Sequence, residues 1–495
     1  MNWNIILASA IGAVVAFASV RWIYFRVLKI AYMKGLVDNP DARKLQTKPV
    51  PLVGGLAVYF GLLFGMMLVT AISKAIVPDD VHDCLFPVFT AITVMLYVGA
   101  MDDILGLTPR TRLLIEVGAI LCLVFSSGMC IDTFRGLWGI GDFSWWIAVP
   151  LTVFAGVGII NAVNMIDGVN GLSSGLCITC CVLFGVAFVR AQDAPNAVLA
   201  FTMAAALIPF YIHNVFGSKS RMFIGDAGTM MMGMLITWFL VCLLSRENHV
   251  AYYDEATRVN IIAFALAVMS VPVFDTLRVM TMRMVRGKSP FRPDKTHLHH
   301  AFVNVGVSHF ITSTTEILIS LVITGIWALS VALGASVDMQ LYVVIASAVV
   351  FVWGLYAFLH YHSTHHTELM HKLSGFSVRT QLGRSSWWKA IQKYLDKPVD
   401  YSINNPTVEA SAEDEVEEEE EDVADLNFKE KDRRLILGYM KGKAEVHVDD
   451  LMANSGAESL RVYPLIFEEE MEGNVVIVKA NPWGSPEIVA LRGEA

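Results

Sequence analysis

The chain has 495 residues, of which 55% are hydrophobic and only 17% are charged, and its mean hydropathy is +0.53. Soluble domains carry about 25% charged residues, so this composition excludes an ordinary soluble enzyme and predicts a membrane protein. The net charge of −9 is uneven, because residues 376–495 hold 14 basic and 25 acidic side chains while the preceding part holds 23 and 21. Neither part has the strong basic excess of a general nucleic-acid-binding protein, so no nucleic-acid partner is expected.

Eleven apolar stretches are long enough to cross a membrane, which takes roughly 20 residues in a helix. The first is too long for the apolar core of a signal peptide and has no convincing small-residue cleavage site, so we expect it to be retained. These stretches predict an all-α polytopic membrane protein with about eleven transmembrane helices. They lie near 4–25, 53–76, 86–105, 113–130, 143–162, 171–190, 196–216, 227–245, 259–282, 311–334 and 339–360.

Lysine and arginine predict the orientation of these stretches. The segments that follow stretches 1, 3, 5, 7 and 9 are assigned sixteen such residues, whereas the loops on the other side hold five. Cytoplasmic loops are the ones that carry the basic excess. We therefore expect the N-terminus outside and the segment after stretch 11 in the cytoplasm.

Two adjacent carboxylates, Asp102 and Asp103, end the third stretch. A charged residue costs about 2.5–3.5 kcal/mol at the centre of a membrane helix and less toward its ends. The two carboxylates also repel each other, and the helix dipole disfavours negative charge at a C-terminus. These costs predict a compensating cation, either a divalent metal or an arginine such as Arg110 or Arg112, and a solvated helix end is the alternative.

Two further carboxylates stand on the same predicted face. Asp167 lies in a turn-rich string after stretch 5, and Asp226 precedes stretch 8. Taken alone, Asp167 could be a turn residue and Asp226 a helix N-cap. Four carboxylates at one membrane face instead favour a Mg²⁺ site, since Mg²⁺ takes one or two carboxylates and often binds substrate phosphates.

The loop after stretch 9 is cationic and contains a histidine cluster. The candidate ligand-binding residues in it are Arg286, Arg292, His297, His299 and His300. The histidines lack the spacing of a structural zinc finger and have no cysteine nearby. Cationic and imidazole donors in one loop suit a pyrophosphate, and the alternative is a basic cytoplasmic loop with incidental histidines.

Together and in this order, the motifs resemble those of the polyprenyl-phosphate N-acetylhexosamine-1-phosphate transferases, the MraY/WecA-type superfamily. The resemblance covers about residues 1–360 and implies that family's eleven-span fold. Such enzymes move a sugar phosphate from a UDP-sugar to a membrane polyprenyl phosphate and release UMP, with Mg²⁺ as cofactor and Mn²⁺ as a substitute. The matching strings are Asp102-Asp103, Asn161-Ala-Val-Asn-Met-Ile-Asp167-Gly, Phe223-Ile-Gly-Asp226-Ala-Gly and Ser289-Pro-Phe-Arg-Pro-Asp-Lys-Thr-His297-Leu-His-His300.

The resemblance implies a role for each candidate residue. Asp102 or Asp103 would deprotonate or position the lipid phosphate, and Asp167 is the third candidate catalytic residue. The candidate metal ligands are Asp226, Asp103 and Asp167. Asn164 and Phe223 are assigned to the sugar-nucleotide side, and the diphosphate-binding candidates are Arg286, Arg292, His297, His299 and His300.

The chain also departs from the family pattern at several positions. Asn170 stands where aspartate is frequent, Gln46 where histidine is common and Leu52 where arginine is common. An asparagine cannot act as a base, so a catalytic base at position 170 is in doubt. The string His297-Leu-His-His300, rather than three consecutive histidines, resembles the branch that uses UDP-GlcNAc or a related UDP-HexNAc. The alternative is the branch that transfers the muramyl-pentapeptide phosphate of peptidoglycan synthesis.

The resemblance implies a multi-pass protein of the bacterial inner membrane, with the active site and the tail in the cytoplasm. An alternative from another class is a proton- or cation-coupled transporter that uses the carboxylates. Transporter sites tend to lie near the midplane of the membrane, whereas these carboxylates collect at one interface. The sequence therefore favours the transferase.

The chain divides into three predicted parts. Residues 1–360 form the transmembrane transferase domain, 361–430 an interfacial and acidic linker, and 431–495 a small cytoplasmic α+β domain. In the last part, three predicted helices and a hairpin resemble a winged helix. Because this part has no basic excess, a protein partner is a better expectation than DNA, and a homodimer is left open.

Overall fold

The computed structural model describes residues 3–38, 49–73, 81–246, 259–290, 296–365, 385–399 and, with short gaps, 432–492. The described chain is mostly helical. In these ranges nine helices are long and apolar enough to cross a membrane, and a bent pair of helices makes a tenth. A polytopic membrane protein was predicted, and this architecture agrees with it.

The described helices are joined by connections of different lengths. Before the second helix, strands β1 (Val37–Asp38) and β2 (Val50–Pro51) pair in an antiparallel ribbon. A π-helical turn, Val349–Gly354, joins the last two helices into one span. The helices are α1 Trp3–Lys34, α2 Gly54–Ser73, α3 Val81–Leu105, α4 Pro109–Ser127, α5 Trp145–Met165, α6 Leu172–Arg190, α7 Ala194–Phe216, α8 Gly225–Leu244, α9 Ile261–Val268, α10 Ser270–Val285, α11 Leu298–Asn304, α12 His309–Ala332, α13 Val337–Ala348 and α14 Leu355–Thr364.

Two of the eleven predicted stretches differ from the rest. The fourth is the helix α4, but Arg110, Arg112 and Glu116 make its first half more polar than the spanning helices. The ninth is broken into α9 and α10, which meet at an angle of 79°. Pro272 has no N–H to donate to the carbonyl of Val268, so the helical hydrogen bonds are interrupted there. The carbonyl of Val268 accepts a hydrogen bond from the hydroxyl of Ser320 instead, at 2.7 Å.

Helix α8 forms the centre of the bundle. All of its side chains except that of Asp226 are buried. Small residues let neighbouring helices approach its backbone closely, as at Gly99 of α3, where an added Cβ would lie 2.4 Å from the carbonyl oxygen of Asp226. Since Gly99 is one turn before the acidic pair of α3, this contact places the C-terminal end of α3 beside the N-terminal end of α8.

The tail has its own small core. Strands β3 (Val446–His447), β4 (Val475–Ala480) and β5 (Pro486–Leu491) form a sheet in the order β3-β5-β4, and a helix spans Val448–Asn454. The helix Val448–Asn454 and the hairpin of β4 with β5 agree with the second predicted helix and the predicted hairpin of this region, whereas the short strand β3 was not predicted. The winged-helix interpretation and the domain boundaries stay predictions, and the acidic run 413–422 lies outside the described residues.

A further helix lies in the described part of the predicted linker. It spans Ser386–Asp396 and is strongly amphipathic. The segment between α14 and this helix, 366–384, lies outside the described residues.

Candidate active site

The carboxylate of Asp103 caps the N-terminus of α8. Its Oδ1 accepts the backbone N–H of Asp226 at 2.9 Å, and its Oδ2 accepts that of Ala227 at 3.1 Å. Helix α8 has no capping side chain of its own at Ile224, so a residue from α3 satisfies the first N–H groups of this helix. Gly225 has φ +69°, and an added Cβ would lie 2.5 Å from Asp103 Oδ2, so only glycine allows this approach.

Asp102 faces the start of α4. Its Oδ1 accepts the N–H of Leu107 at 2.7 Å, and its Oδ2 lies 3.4 Å from Nη1 of Arg112. Of the compensating cations predicted for the acidic pair, the structure supplies Arg112. The second terminal nitrogen of Arg112, Nη2, is buried and has no hydrogen-bond partner in the described ranges.

Asp226 is held between Asn164 and Arg112. The amide of Asn164 donates to Asp226 Oδ1 at 2.6 Å and to the hydroxyl of Thr229 at 2.8 Å. The other oxygen of Asp226 lies 3.8 Å from Nη1 of Arg112. Because 36% of its side chain is exposed, against 11% for Asp102, Asp226 is the more accessible of the two to a ligand.

The loop between α5 and α6 carries Asp167 and is contacted by the ring of His299. Asp167 accepts the hydroxyl of Ser173 at 2.5 Å. The ring of His299 packs directly on the next residue, Gly168, where an added Cβ would lie 2.4 Å from His299 Nε2. A side chain at position 168 would therefore separate the Asp167 loop from the histidine cluster.

A buried acid that was not among the predicted site residues, Asp275, anchors the histidine cluster. Its carboxylate lies 2.8 Å from Nδ1 of His297 and accepts a hydrogen bond from the N–H of Leu298. It also accepts one from Nη2 of Arg278 at 2.7 Å. Arg278 also donates to the carbonyl of Thr296. These bonds fix the N-terminus of α11, which carries the histidines.

The rings of the cluster stack side by side. The centroids of His297 and His299 are 5.6 Å apart, and those of His299 and His300 are 4.4 Å apart. His299 is 1% exposed, and burial, followed by the charges of His300 and His297, lowers its pKa well below the ordinary value. His299 is therefore neutral near pH 7 and offers a hydrogen bond rather than a charge.

Three predicted ligand residues differ from this group. The exposed residue Arg286 ends α10, and no described hydrogen bond or ion pair joins its side chain to the histidines. Arg292 lies outside the described residues, as does Gln46, one of the positions at which the chain departs from the family pattern. Phe223 contributes its backbone, since its N–H donates to Pro51 and its carbonyl accepts from Gly54.

The region that contains Asp102, Asp103, Asp167 and Asp226 matches a known family. The sequence model described as "Glycosyl transferase family 4" matches residues 85–244, from α3 to α8. The decaprenyl-phosphate N-acetylglucosaminephosphotransferase of Mycolicibacterium smegmatis is 30% identical over 317 residues, which are 61% of this chain and 76% of the relative. The chain belongs to glycosyl transferase family 4.

Other members of family 4 are similar over a comparable length. The undecaprenyl-phosphate alpha-N-acetylglucosaminyl 1-phosphate transferase of Escherichia coli (strain K12) is 29% identical over 289 residues, which are 57% of this chain and 73% of the relative. The protein of the same name from Yersinia pestis is 28% identical over 290 residues, again 57% and 73%. These comparisons confirm the predicted resemblance.

The site of this family 4 protein fits Mg²⁺ through few protein ligands. In the described part of the chain, no three His, Cys, Asp or Glu side chains are arranged so that they alone hold a metal ion. Both oxygens of Asp103 already accept backbone N–H groups, whereas Asp226 is more accessible. Mg²⁺ typically takes one or two carboxylates and completes its shell with water and phosphate oxygens, which this arrangement allows.

Residues that the sequence analysis did not select complete the family 4 site. Glu116 accepts hydrogen bonds from Nε of Arg112 at 3.0 Å and from the amide of Asn161 at 2.6 Å. Both Glu116 and Asp275 lie inside predicted apolar stretches, where an ionisable residue is a sign of function or pairing. That sign was available in the sequence for both residues.

We predict that Asp275→Asn destabilises the protein and impairs the histidine cluster. The substitution leaves the guanidinium of Arg278 buried without its counter-charge, and removing one partner of a buried ion pair costs about 3–5 kcal/mol. Unfolding followed in detergent, by temperature or denaturant, measures this loss. The control is Asp142→Asn, because Asp142 is 54% exposed in its pair with Arg246 and such pairs contribute about 0–1 kcal/mol. Equal unfolding free energies for the two variants would contradict the prediction.

Proposed function

We propose that this protein transfers N-acetylglucosamine 1-phosphate from UDP-GlcNAc to a polyprenyl phosphate and releases UMP. Membership of family 4 and the names of its relatives support this reaction. A phosphate oxygen of the lipid attacks the phosphorus that bears the sugar, and the bond from that phosphorus to the bridging oxygen of UMP breaks. The product is a lipid-linked sugar diphosphate, which is a starting point for cell-envelope glycan synthesis.

The junction of α3 with α8 is the observation that carries the proposal. It gathers Asp102, Asp226 and Arg112 at the ends of membrane helices, where a lipid phosphate and a soluble nucleotide can meet. Since Asp103 is engaged by two backbone N–H groups, we assign it the positioning of α8. We assign Asp102 the task of accepting a proton from, or orienting, the lipid phosphate.

In this proposal Arg112 and the histidine cluster bind the diphosphate of the UDP-sugar. We assign Nη2 of Arg112, which is buried and has no hydrogen-bond partner in the described ranges, to a phosphate oxygen. Asn164 holds the carboxylate of Asp226 in one orientation. The residues assigned to Mg²⁺ are Asp226 with Asp167. When bound, Mg²⁺ would offset the negative charge of the diphosphate and of the departing UMP.

Purified protein with undecaprenyl phosphate, radiolabelled UDP-GlcNAc and Mg²⁺ tests the proposal. We expect UMP release together with a labelled lipid product, loss of both in EDTA, and recovery with Mg²⁺ or Mn²⁺. UMP release that does not depend on the lipid would indicate a hydrolase, and no release from any UDP-HexNAc would refute the transferase.

We also propose that the protein lies in the inner membrane of a bacterial cell with its N-terminus outside. The basic loops on the side of Asp102, Asp167 and Asp226 support this orientation, so the active site and the tail are cytoplasmic. Neither a transporter nor the muramyl-pentapeptide branch is favoured by the names of the relatives. A protein partner of the tail and a homodimer stay predictions.

We predict that a chain ending at residue 400 retains transfer activity. All the residues proposed for the chemistry lie before residue 301, and the cut keeps the helix Ser386–Asp396. Formation of lipid-linked product by the shortened and full-length proteins, compared at equal amounts of folded protein, is the measurement. A folded but inactive shortened chain would show that the tail completes the active site.

A further inference from the structure

The helix Ser386–Asp396 docks on the end of the bundle that carries the candidate site. The ring of Trp388 packs on Phe216 at 4.7 Å and on Phe310 at 5.6 Å, which are the last residue of α7 and the second residue of α12. Leu395, near the other end of this helix, is also buried. This helix lies outside the region that the family model matches.

The last residue of this helix, Asp396, binds the turn between α7 and α8. Its carboxylate accepts three successive backbone N–H groups, those of Ser218, Lys219 and Ser220, at 2.9–3.3 Å. It also accepts the hydroxyl of Ser220 at 2.6 Å. Hydrogen bonds to an ionised acceptor are stronger than neutral ones, and a row of backbone N–H groups is a well-suited cradle for an anion.

The same turn is joined to the body of the protein. The carbonyl of Ser220 accepts the hydroxyl of Tyr24 at 2.7 Å, and its hydroxyl oxygen lies 3.1 Å from Nδ1 of His213. The amide of Asn214 donates to the carbonyl of Met222 at 2.8 Å, while its oxygen accepts the N–H of Gly171 at 2.6 Å. Asn214 therefore connects this turn to the loop that carries Asp167.

The turn leads directly into the candidate site. Three residues separate Met222 from Asp226, and two of them are bonded to the start of α2 through Gly54 and Gly55. A displacement of the turn would thus be transmitted to Asp226, whose own N–H is bonded to Asp103. The carboxylate of Asp396 lies at the other end of this bonded segment.

We propose that Asp396 is a positioning residue for the transfer reaction. By fixing the turn 218–220 it sets the backbone that presents Asp226, so that a helix beyond the membrane spans contributes to the geometry of the site. Only the expected change in kcat rests on the proposed function. The alternative role for Asp396 is simple attachment of its own helix to the bundle.

The test compares full-length Asp396→Ala with Lys393→Ala, whose exposed side chain lies on the same helix. We expect Asp396→Ala to lower kcat by at least about tenfold with KM for UDP-GlcNAc changed less than about twofold, because misplacing a reacting group by 1 Å costs up to about a hundredfold in rate. Amide hydrogen exchange should increase in the segment 218–227 of this variant. Lys393→Ala should match the unmodified protein in both measurements.

Several outcomes would overturn the inference. Unchanged exchange at 218–227 would show that Asp396 does not hold the turn. Increased exchange with kcat within about twofold of Lys393→Ala, or a loss confined to thermal stability, would show attachment without positioning. An unmodified protein without transferase activity would refute the proposed function, whereas the exchange measurement would still decide whether Asp396 holds the segment that presents Asp226.

Discussion

Asp226→Asn is expected to lower the turnover of transfer by at least about a hundredfold, because it removes a proposed Mg²⁺ ligand beside the diphosphate. We expect losses of the same size from Asp102→Asn, which removes a proposed general base, and from Asp103→Asn. In the last variant an amide NH₂ would face one of the two backbone N–H groups that the carboxylate now accepts, so the N-terminus of α8 would lose half of its cap. Initial rates of UMP release under saturating substrates measure all three effects.

The matched control for these variants is Asp142→Asn, which also exchanges a carboxylate for an amide but lies among exposed residues outside the site. Its turnover should stay close to that of the unmodified protein. Near-normal rates in all three site variants, with normal insertion into the membrane, would end the proposal that these carboxylates carry the reaction. If turnover fell in Asp103→Asn alone, the acidic pair would be assigned only the capping of α8.

UDP-GlcNAc or a close UDP-HexNAc should be turned over, and the muramyl-pentapeptide nucleotide little or not at all. We propose that the histidine cluster binds the diphosphate of a nucleotide sugar, and the sequence contains no obvious added module for a peptide. A site that hydrogen-bonds the 3-hydroxyl of the sugar would reject a muramyl sugar, whose O3 carries the lactyl-peptide, by up to about 10⁴–10⁵-fold. The contrast between the two nucleotides should therefore be large.

Side-by-side release of UMP from the two nucleotides is the measurement. Faster release from the muramyl-pentapeptide nucleotide would overturn the branch assignment while leaving the reaction class intact. If neither is used and another UDP-HexNAc is, the positions to examine first are Gln46, Leu52 and Asn170, where the chain departs from the family pattern.

The sequence predicted which polar residues belong together better than it predicted what each one contacts. Adjacent acids at the end of an apolar stretch and an acid before another stretch were enough to place Asp102, Asp103 and Asp226 in one site. That Asp103 would cap α8 rather than stand free could not be read from the chain, since it depends on the close approach of α3 at Gly99. Such packing contacts join residues distant in sequence and leave no local pattern.

Two other features escaped prediction for different reasons. The break between α9 and α10 was not predicted because residues 259–282 read as one apolar stretch, although Pro272 marks the point where the helical hydrogen-bond ladder fails. The docking of Ser386–Asp396 was hidden because an eleven-residue helix is marginal by itself and its partners, Phe216 and Ser220, lie far away in sequence. A short helix of this kind is defined by the surface on which it packs.

The capping of α8 by Asp103 also bears on how the protein selects among anions. The N-terminus of a helix is a ready-made site for phosphate, because its free N–H groups and its dipole both favour negative charge. Here a carboxylate of the protein already occupies the N–H groups of Asp226 and Ala227. Inorganic phosphate therefore finds no vacant helix end at this point, and recognition of an anion here depends on side chains, which can discriminate a nucleotide diphosphate from simple anions.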